Sequence, residues 1–423
     1  MLKSTTVAPV SFQQEEMLGH MRKFPDCAAR YDLIYLFRLD DVLDFEFLQE
    51  SVADLVQRHS ALRTVIASSD AGEPVQQVLS ELPGDLVSDL GDWQSLEEVQ
   101  KIIISRRHEP SAVESSLPMF RAFVFSVSGE SYLSFIVHHL ICDGWSAMIL
   151  WRDLSELYSA RVNERIPILA ASGASYADFA RGQVLAWDTI RTKALSFWSE
   201  RSDGCASEIC WPESGSFDVN SSSNEVEVHT FEVDVDTIGS VREFAVNSRV
   251  TIFMVLLGAT ALAISAATER RDLLFGSDTA ARDSLDIHNT VGHFVNTAMV
   301  RVRIAPDADL YDVVRSIREF WLDAEEYRDA YSGKVLSAVG DPAILKVNML
   351  DFPGQGDDLV FGQIHASPMV VDCKDPLRHD FGIFWRNEGN IYRLYVIRKK
   401  SLITSDVAER VGIDILESLT ALA

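Results

Sequence analysis

Basic residues are scarce in this chain. Across 423 residues there are 38 lysines and arginines against 63 aspartates and glutamates, a formal net charge of -25 at pH 7. Nucleic acid is therefore not an expected partner, because a polyanion is bound through clustered cations. Any acidic macromolecule would have to dock through a local patch. The candidates are Arg22-Lys23, Arg106-Arg107 and Arg398-Lys399-Lys400, and each on its own reads as an ordinary solvated charge run.

Cysteine is sparse and odd in number: Cys27, Cys142, Cys205, Cys210 and Cys373. No pair has a zinc-site rhythm with histidines, so no metal site is expected. Cys205 and Cys210 are near enough in sequence to pair, but a reduced, cytoplasmic protein is the expected setting. Long apolar runs are missing as well. No stretch of about 18 uninterrupted apolar residues occurs, so no membrane span is expected. The segment opening at Met1 has no apolar signal core. What is plentiful is hydrophobic residues, 47% of the chain. That supports a sizeable core, and the length suits two or three average domains.

The chemistry concentrates in Val137-His138-His139-Leu140-Ile141-Cys142-Asp143-Gly144-Trp145-Ser146. The apolar run Tyr132 to Ile136 before it predicts a buried strand, and Ala147 to Tyr158 after it has helical spacing. Two histidines, an aspartate and a glycine thus sit on a strand-to-helix turn. Adjacent strand residues face opposite sides, so if His138 and His139 are both still extended, only one faces a given cavity and the other has a structural role. Imidazole is the usual proton-moving group near neutral pH. Asp143, past the turn, is expected to pair with a distant cation and shape the loop. Gly144 permits a backbone angle or close approach that a side chain forbids. Cys142 as a nucleophile paired with histidine is a disfavoured alternative.

His-His-x-x-x-Asp-Gly resembles the signature of nonribosomal peptide synthetase condensation domains, members of the chloramphenicol acetyltransferase-like superfamily. Other stretches add to the resemblance. Ser11-Phe12-Gln13-Gln14 is similar to the family's Ser-x-x-Gln segment, with Ser11 able to cap the helix that follows. Arg58-His59-Ser60-Ala61-Leu62-Arg63-Thr64 looks like Arg-His-x-x-Leu-Arg-Thr, with Arg63 read as a structural arginine. Gly276 to Arg282 is similar to the family's Gly-x-x-x-x-x-Arg segment. Val291-Gly292-His293-Phe294-Val295-Asn296-Thr297 closely resembles Val-Gly-x-Phe-Val-Asn-Thr, with His293 at the variable position and read as incidental. The segment from Asp329 to Asp341 and the stretch Ile344 to Met349 depart from elongating members of the family, which leaves the acceptor open.

The resemblance implies an α+β fold of two acetyltransferase-like lobes in a V, each a two-layer α/β sandwich, with one active site in a tunnel between them. The expected division is an N-terminal lobe over 1–175, a connecting helix and loop over 176–224, and a C-terminal lobe over 225–423. The Ser-, Gly- and Asp-rich stretch from Ser202 to Asn224 reads as surface loop. By the same resemblance Asp143 and Arg282 form an ion pair across the lobes, and Trp145, Ser146, Asn296 and Thr297 line or brace the tunnel. Trp187 and Trp198 read as packing residues. Asp380-Phe381-Gly382 reads as the start of a short strand.

The implied activity joins an acyl group, carried as a thioester on the phosphopantetheine arm of a carrier protein, to an amine or hydroxyl acceptor. The acceptor is a small molecule or is itself carrier-bound. His139, with His138, Asp143 and Gly144, would be the catalytic set. His139 would take or position the nucleophile's proton, as a base or as an electrostatic stabiliser, and the backbone near Gly144 would hold the oxyanion. No permanently bound cofactor is implied, and the products belong to natural-product, including antibiotic, biosynthesis. The rivals are a coenzyme A-dependent acyltransferase of the same superfamily and a catalytically silent recruitment module. An epimerase-like or heterocyclising relative is disfavoured by Asp143-Gly144-Trp145-Ser146 and by His138 at the motif's first position. The resemblance covers nearly the whole length and leaves no adenylation, carrier or thioesterase region, so a free-standing enzyme or an excised domain is expected, with Met1 before a short leader favouring the former.

Overall fold

The computed structural model describes residues 4–23, 25, 29, 31–82, 84–107, 118–205, 209–212, 225–282, 284–327, 330, 333–335, 344–350, 359–369, 371, 381–387 and 391–422. Cys27, Cys373, most of the stretch 202–224, most of 329–341 including Tyr331-Ser332, and Asp380 lie outside them. In chain order the elements are β1 (Ser4–Pro9), α1 (Phe12–Lys23), β2 (Asp32–Leu39), α2 (Phe45–Arg58), β3 (Thr64–Ser68), β4 (Pro74–Leu79), β5 (Val87–Trp93), α3 (Leu96–Ser105), β6 (Phe120–Val127), β7 (Glu130–His138), α4 (Gly144–Val162) and α5 (Tyr176–Ser202). Then follow β8 (Val226–Val233), α6 (Val235–Ser248), α7 (Ile252–Thr268), β9 (Asp272–Thr279), β10 (Asn296–Arg303), α8 (Leu310–Asp323), β11 (Ile344–Leu350), β12 (Leu359–Phe361), β13 (Ile364–Met369), β14 (Phe381–Asn387), β15 (Tyr392–Lys399) and α9 (Ser405–Thr420).

The chain forms two compact units. The first comprises Met1–Asp188, Ala280–Val295 and Phe352–Lys374, and the second Thr189–Thr279, Asn296–Asp351 and Asp375–Ala423. The expected contiguous lobes thus need amending. Two excursions from the second half belong to the first unit, and one of them carries Arg282 and His293.

In the first unit a six-stranded sheet runs β12-β13-β2-β7-β6-β5, with a smaller sheet β1-β4-β3. β7 is a central strand, paired antiparallel to both β2 and β6, with Asp32 opposite His138. Its residues from Leu133 to His138 are all buried, which is why the strand reads as an unbroken apolar run rather than an alternating one. Phe135 stacks on Trp151 of α4 at 4.2 Å between ring centroids. α2 packs Leu48, Val52, Leu55 and Val56 into the same core, whereas Phe45, expected on that face, is 36% exposed at the first helical residue. Truncating a fully buried leucine such as Leu48 to alanine would cost about 2–5 kcal/mol.

Two of the sequence motifs turn out to be local devices for closing this unit. Ser11 and Gln14 form a reciprocal capping box: Gln14 N donates to Ser11 Oγ at 3.1 Å and Ser11 N to Gln14 Oε1 at 3.0 Å. The Gln14 amide then donates to Leu140 O at 2.9 Å, which ties α1 to the turn after β7. Arg63 donates to the carbonyls of Val56, Gln57 and Leu79, satisfying the end of α2 and the last residue of β4. Ahead of it, Arg58 and His59 converge on the buried carboxylate of Asp153 in α4, at 2.7 and 3.0 Å.

In the second unit the sheet order is β10-β9-β11-β14-β15-β8, parallel where β11 meets β9 and β14 and antiparallel elsewhere. α7 is apolar nearly all round and is buried against this sheet's core, with Val255, Leu256, Leu257 and Ala261 fully inaccessible. No single helix among the described residues is long and apolar enough to cross a membrane; α6 and α7 together reach the required length only across a 106° bend. Arg398 is buried and paired with Glu227, so one of the presumed solvated basic runs begins with a structural ion pair.

Candidate active site at the turn between β7 and α4

The turn is built from the end of a strand, a short bridge and the cap of a helix. Asp143 is the N-cap of α4, its Oδ1 accepting from Ser146 N at 2.7 Å. Gly144 is the first helical residue, so its backbone is in the ordinary right-handed region and the special angle anticipated for it is not used. β7 ends at His138 and His139 opens the turn, so the strand period does not extend to the pair, and the two differ in burial instead. His138 is fully buried and its Nδ1 accepts from Leu140 N at 3.1 Å. His139 is half-buried, and its Nδ1 lies 2.8 Å from Cys142 O. A carbonyl only accepts, so His139 Nδ1 carries a proton, and in the neutral form of the ring the lone pair lies at Nε2. That is the tautomer a proton acceptor needs.

Cys142 is not equipped for nucleophilic work. Its side chain is inaccessible, and burial first, then the Asp143 carboxylate, pushes the thiol well above its usual range. Among the described residues no group of three His, Cys, Asp or Glu is placed to hold a metal ion.

The segment Ala280–Val295 is laid against the turn within the first unit. Arg282 Nη2 meets Asp143 Oδ1 at 3.3 Å and Ser146 Oγ at 2.7 Å. Its Nη1 donates to the carbonyls of Ile287 and Thr290, both at 2.7 Å. The guanidinium also lies over the Phe294 ring, 4.0 Å from its centroid, and 5.5 Å from that of Trp145. Burial lowers the Arg282 pKa from its ordinary value, and the Asp143 carboxylate opposes that shift. The ion pair expected across the lobes is therefore a contact inside one unit.

Ser146 has no exposed surface. Its hydroxyl donates to Gly292 O at 2.8 Å and accepts from Gly292 N and Arg282, so it braces the segment and lines no open passage. Trp145 is half-buried with its indole N–H on His288 O at 3.1 Å. Asn296 and Thr297 open β10 in the second unit. There Thr297 Oγ1 donates to Asp278 at 3.0 Å, and Asp278 also holds Lys346 and Asn348. His293, read from the sequence as incidental, has its ring in contact with that of His139, centroids 4.4 Å apart at 65°. Variation at that position in the motif gave no signal for this contact.

A condensation domain family model matches residues 4–339. N-(5-amino-5-carboxypentanoyl)-L-cysteinyl-D-valine synthase of Amycolatopsis lactamdurans is 33% identical over 321 residues, 74% of this chain and 8% of that protein. Isonitrile lipopeptide synthase of Mycobacterium tuberculosis is 26% identical over 382 residues, 86% of this chain and 15% of that protein. The chain thus spans only a small part of the length of these relatives. Among solved structures, the first condensation domain of the calcium-dependent antibiotic synthetase in complex with substrate analogue 3a superposes with a TM-score of 0.79 at 16% identity, covering 99% of this chain and 97% of that one. The X-domain from teicoplanin biosynthesis superposes with a TM-score of 0.81 at 18% identity, covering 100% and 96%. With the α+β fold, the histidine turn and the family match over most of its length in agreement, the chain belongs to the condensation domain family of nonribosomal peptide synthetases.

Proposed function

We propose that this protein is an acyltransferase that forms an amide, or with a hydroxyl acceptor an ester. The donor is an acyl thioester on the phosphopantetheine arm of a carrier protein. The acceptor nitrogen or oxygen attacks the thioester carbonyl, the C–S bond breaks, and the pantetheine sulfur departs. His139 Nε2 takes the acceptor's proton and the departing sulfur receives it, so no proton is gained or lost overall. The amide at Gly144, at the N-terminus of α4, is the candidate donor to the developing oxyanion. The observation that carries the reading is the His139 Nδ1 to Cys142 O bond, which sets the base tautomer on the more accessible of the two histidines.

The rival is a docking module without chemistry. One solved neighbour in fold, the teicoplanin X-domain, is described in complex with OxyB. A purely docking role does not account for a histidine held in one tautomer beside a buried Asp143–Arg282 pair. Intact-mass analysis of an acyl-loaded carrier protein decides between them. Loss of the acyl group with appearance of a coupled product supports the enzyme. Binding of the carrier with its acyl group intact, across a panel of amines and alcohols, defeats it.

A further inference from the structure

We infer that His293 is a positioning residue for His139; the inference rests on the reading of His139 as the proton acceptor. The rings meet edge to face, and His293 is 7% exposed. The backbone carrying His293 is tied down at three consecutive residues. Gly292 O accepts from Asp143 N at 3.1 Å and Gly292 N donates to Ser146 Oγ at 3.0 Å. His293 O accepts from the Tyr176 hydroxyl. Phe294 N donates to Asp143 Oδ2 at 2.9 Å, and Phe294 O accepts from Gln13 Nε2 at 3.2 Å. These bonds fix the backbone from which the imidazole of His293 projects, and its burial restricts the rotamers open to the ring.

The His139 hydrogen bond to Cys142 O is directional, so tilting of the ring weakens it and moves Nε2. The His293 ring packed against His139 opposes that tilt, and misplacement of a reacting group by about 1 Å can cost on the order of 100-fold. The same backbone bonds that hold Asp143 and Ser146 therefore also hold the ring that steers His139. What matters in this arrangement is a ring at position 293; its nitrogens are secondary.

Three variants test this with the whole chain and an acyl-loaded carrier protein. His293→Ala and His293→Gln, which lack the ring, should lower kcat about 10- to 100-fold while KM for donor and acceptor changes less than about threefold. His293→Phe, which keeps the ring without its nitrogens, should stay within about threefold of wild type. Nitrogen-15 NMR of labelled histidines gives a readout independent of turnover. His139 should show the Nδ1-protonated tautomer in wild type and His293→Phe, and tautomer averaging in His293→Gln. Wild-type kcat in both ringless variants, or a His293→Phe variant as slow as they are, overturns the inference. His139→Ala separates the two levels: if it turns over normally the catalytic reading itself fails, and the tautomer spectra then decide the His293 contact alone.

Discussion

Arg282 Nη2 lies 3.3 Å from Asp143 Oδ1 with each side chain only 1% exposed. The pair is further committed: Asp143 accepts from Ser146 N and Phe294 N, and Arg282 donates to Ile287 O, Thr290 O and Ser146 Oγ. Removing either partner leaves the other charge buried and uncompensated, which costs about 3–5 kcal/mol. Asp143→Ala and Arg282→Ala should therefore each lower urea stability by that order. The double variant should cost less than the two losses added, since the residues share one network. Melting of either single variant at the wild-type temperature would show the pair to be energetically idle.

His139 and His138 should separate activity from stability. His139→Ala is expected to lose about 100- to 10,000-fold in coupling rate, the range for a general acid-base group, while melting close to wild type because the side chain is half-buried. His138→Ala removes a fully buried ring from the end of β7, next to Tyr31, and should lower stability measurably. Parallel turnover and thermal scans check both. The opposite pattern would exchange the two roles.

Gly292 owes its identity to a neighbour rather than to its backbone angle. A Cβ there would lie 2.0 Å from Tyr176 Cδ2 and 2.6 Å from its Cγ. Tyr176 cannot yield easily, being 2% exposed and bonded through its hydroxyl to Ser11 and His293 O. Gly292→Ala should destabilise by about 3 kcal/mol, the upper end for overpacking. The double variant with Tyr176→Ala should lose less than the two single losses added, since the clash disappears with the ring. Full stability of Gly292→Ala by chemical denaturation would contradict the contact.

Much of this was legible in the chain itself. The strand from Tyr132 and the helix from Ala147 announced the turn, because a buried central strand reads as a continuous apolar run and α4 has helical spacing. The Asp143–Arg282 partnership came from the family resemblance alone, since nothing local links residues so far apart in sequence. What stayed hidden was non-local. β12 and β13 lie far along the chain yet join the sheet of the first unit, and their short, half-polar sequences carry no period that points there. β1, β3 and β5 were likewise missed, each being short or interrupted by polar residues. His293 was overlooked because its significance is a ring contact with His139, which spacing cannot express.

Acid should expose the cluster around Asp153. Burial alone would raise this carboxyl, but hydrogen bonds from His59 and Arg58 and the charge of Arg152 outweigh it and bring its pKa from the ordinary 3.8 to about 2. A folded value below the unfolded one means the stabilisation is present above about pH 4 and is lost as pH falls toward 2. Its size, at 1.36 kcal/mol per unit, is about 2 kcal/mol. Asp153→Asn should therefore be less stable than wild type at pH 7, with the gap narrowing between pH 4 and 2. A gap that stays constant over that range would remove the carboxylate from the account.

The donor prediction turns on charge. At -25 the chain repels an acidic carrier protein at long range, so docking must rest on a small basic or apolar patch. The charged part of such a contact weakens with salt, since the screening length falls to about 10 Å at 0.1 M. A free coenzyme A thioester has the same pantetheine arm but adds phosphates, which need clustered cations. In the run Arg398-Lys399-Lys400, Arg398 is already bound to Glu227, and Lys400 lies 3.4 Å from Glu225. A carrier-bound acyl group should therefore react faster, by about tenfold or more in kcat/KM, than the matching coenzyme A thioester assayed beside it. That difference corresponds to about 1.4 kcal/mol of transition-state stabilisation. Equal or better rates with coenzyme A would make a coenzyme A-dependent acyltransferase the better reading of this protein.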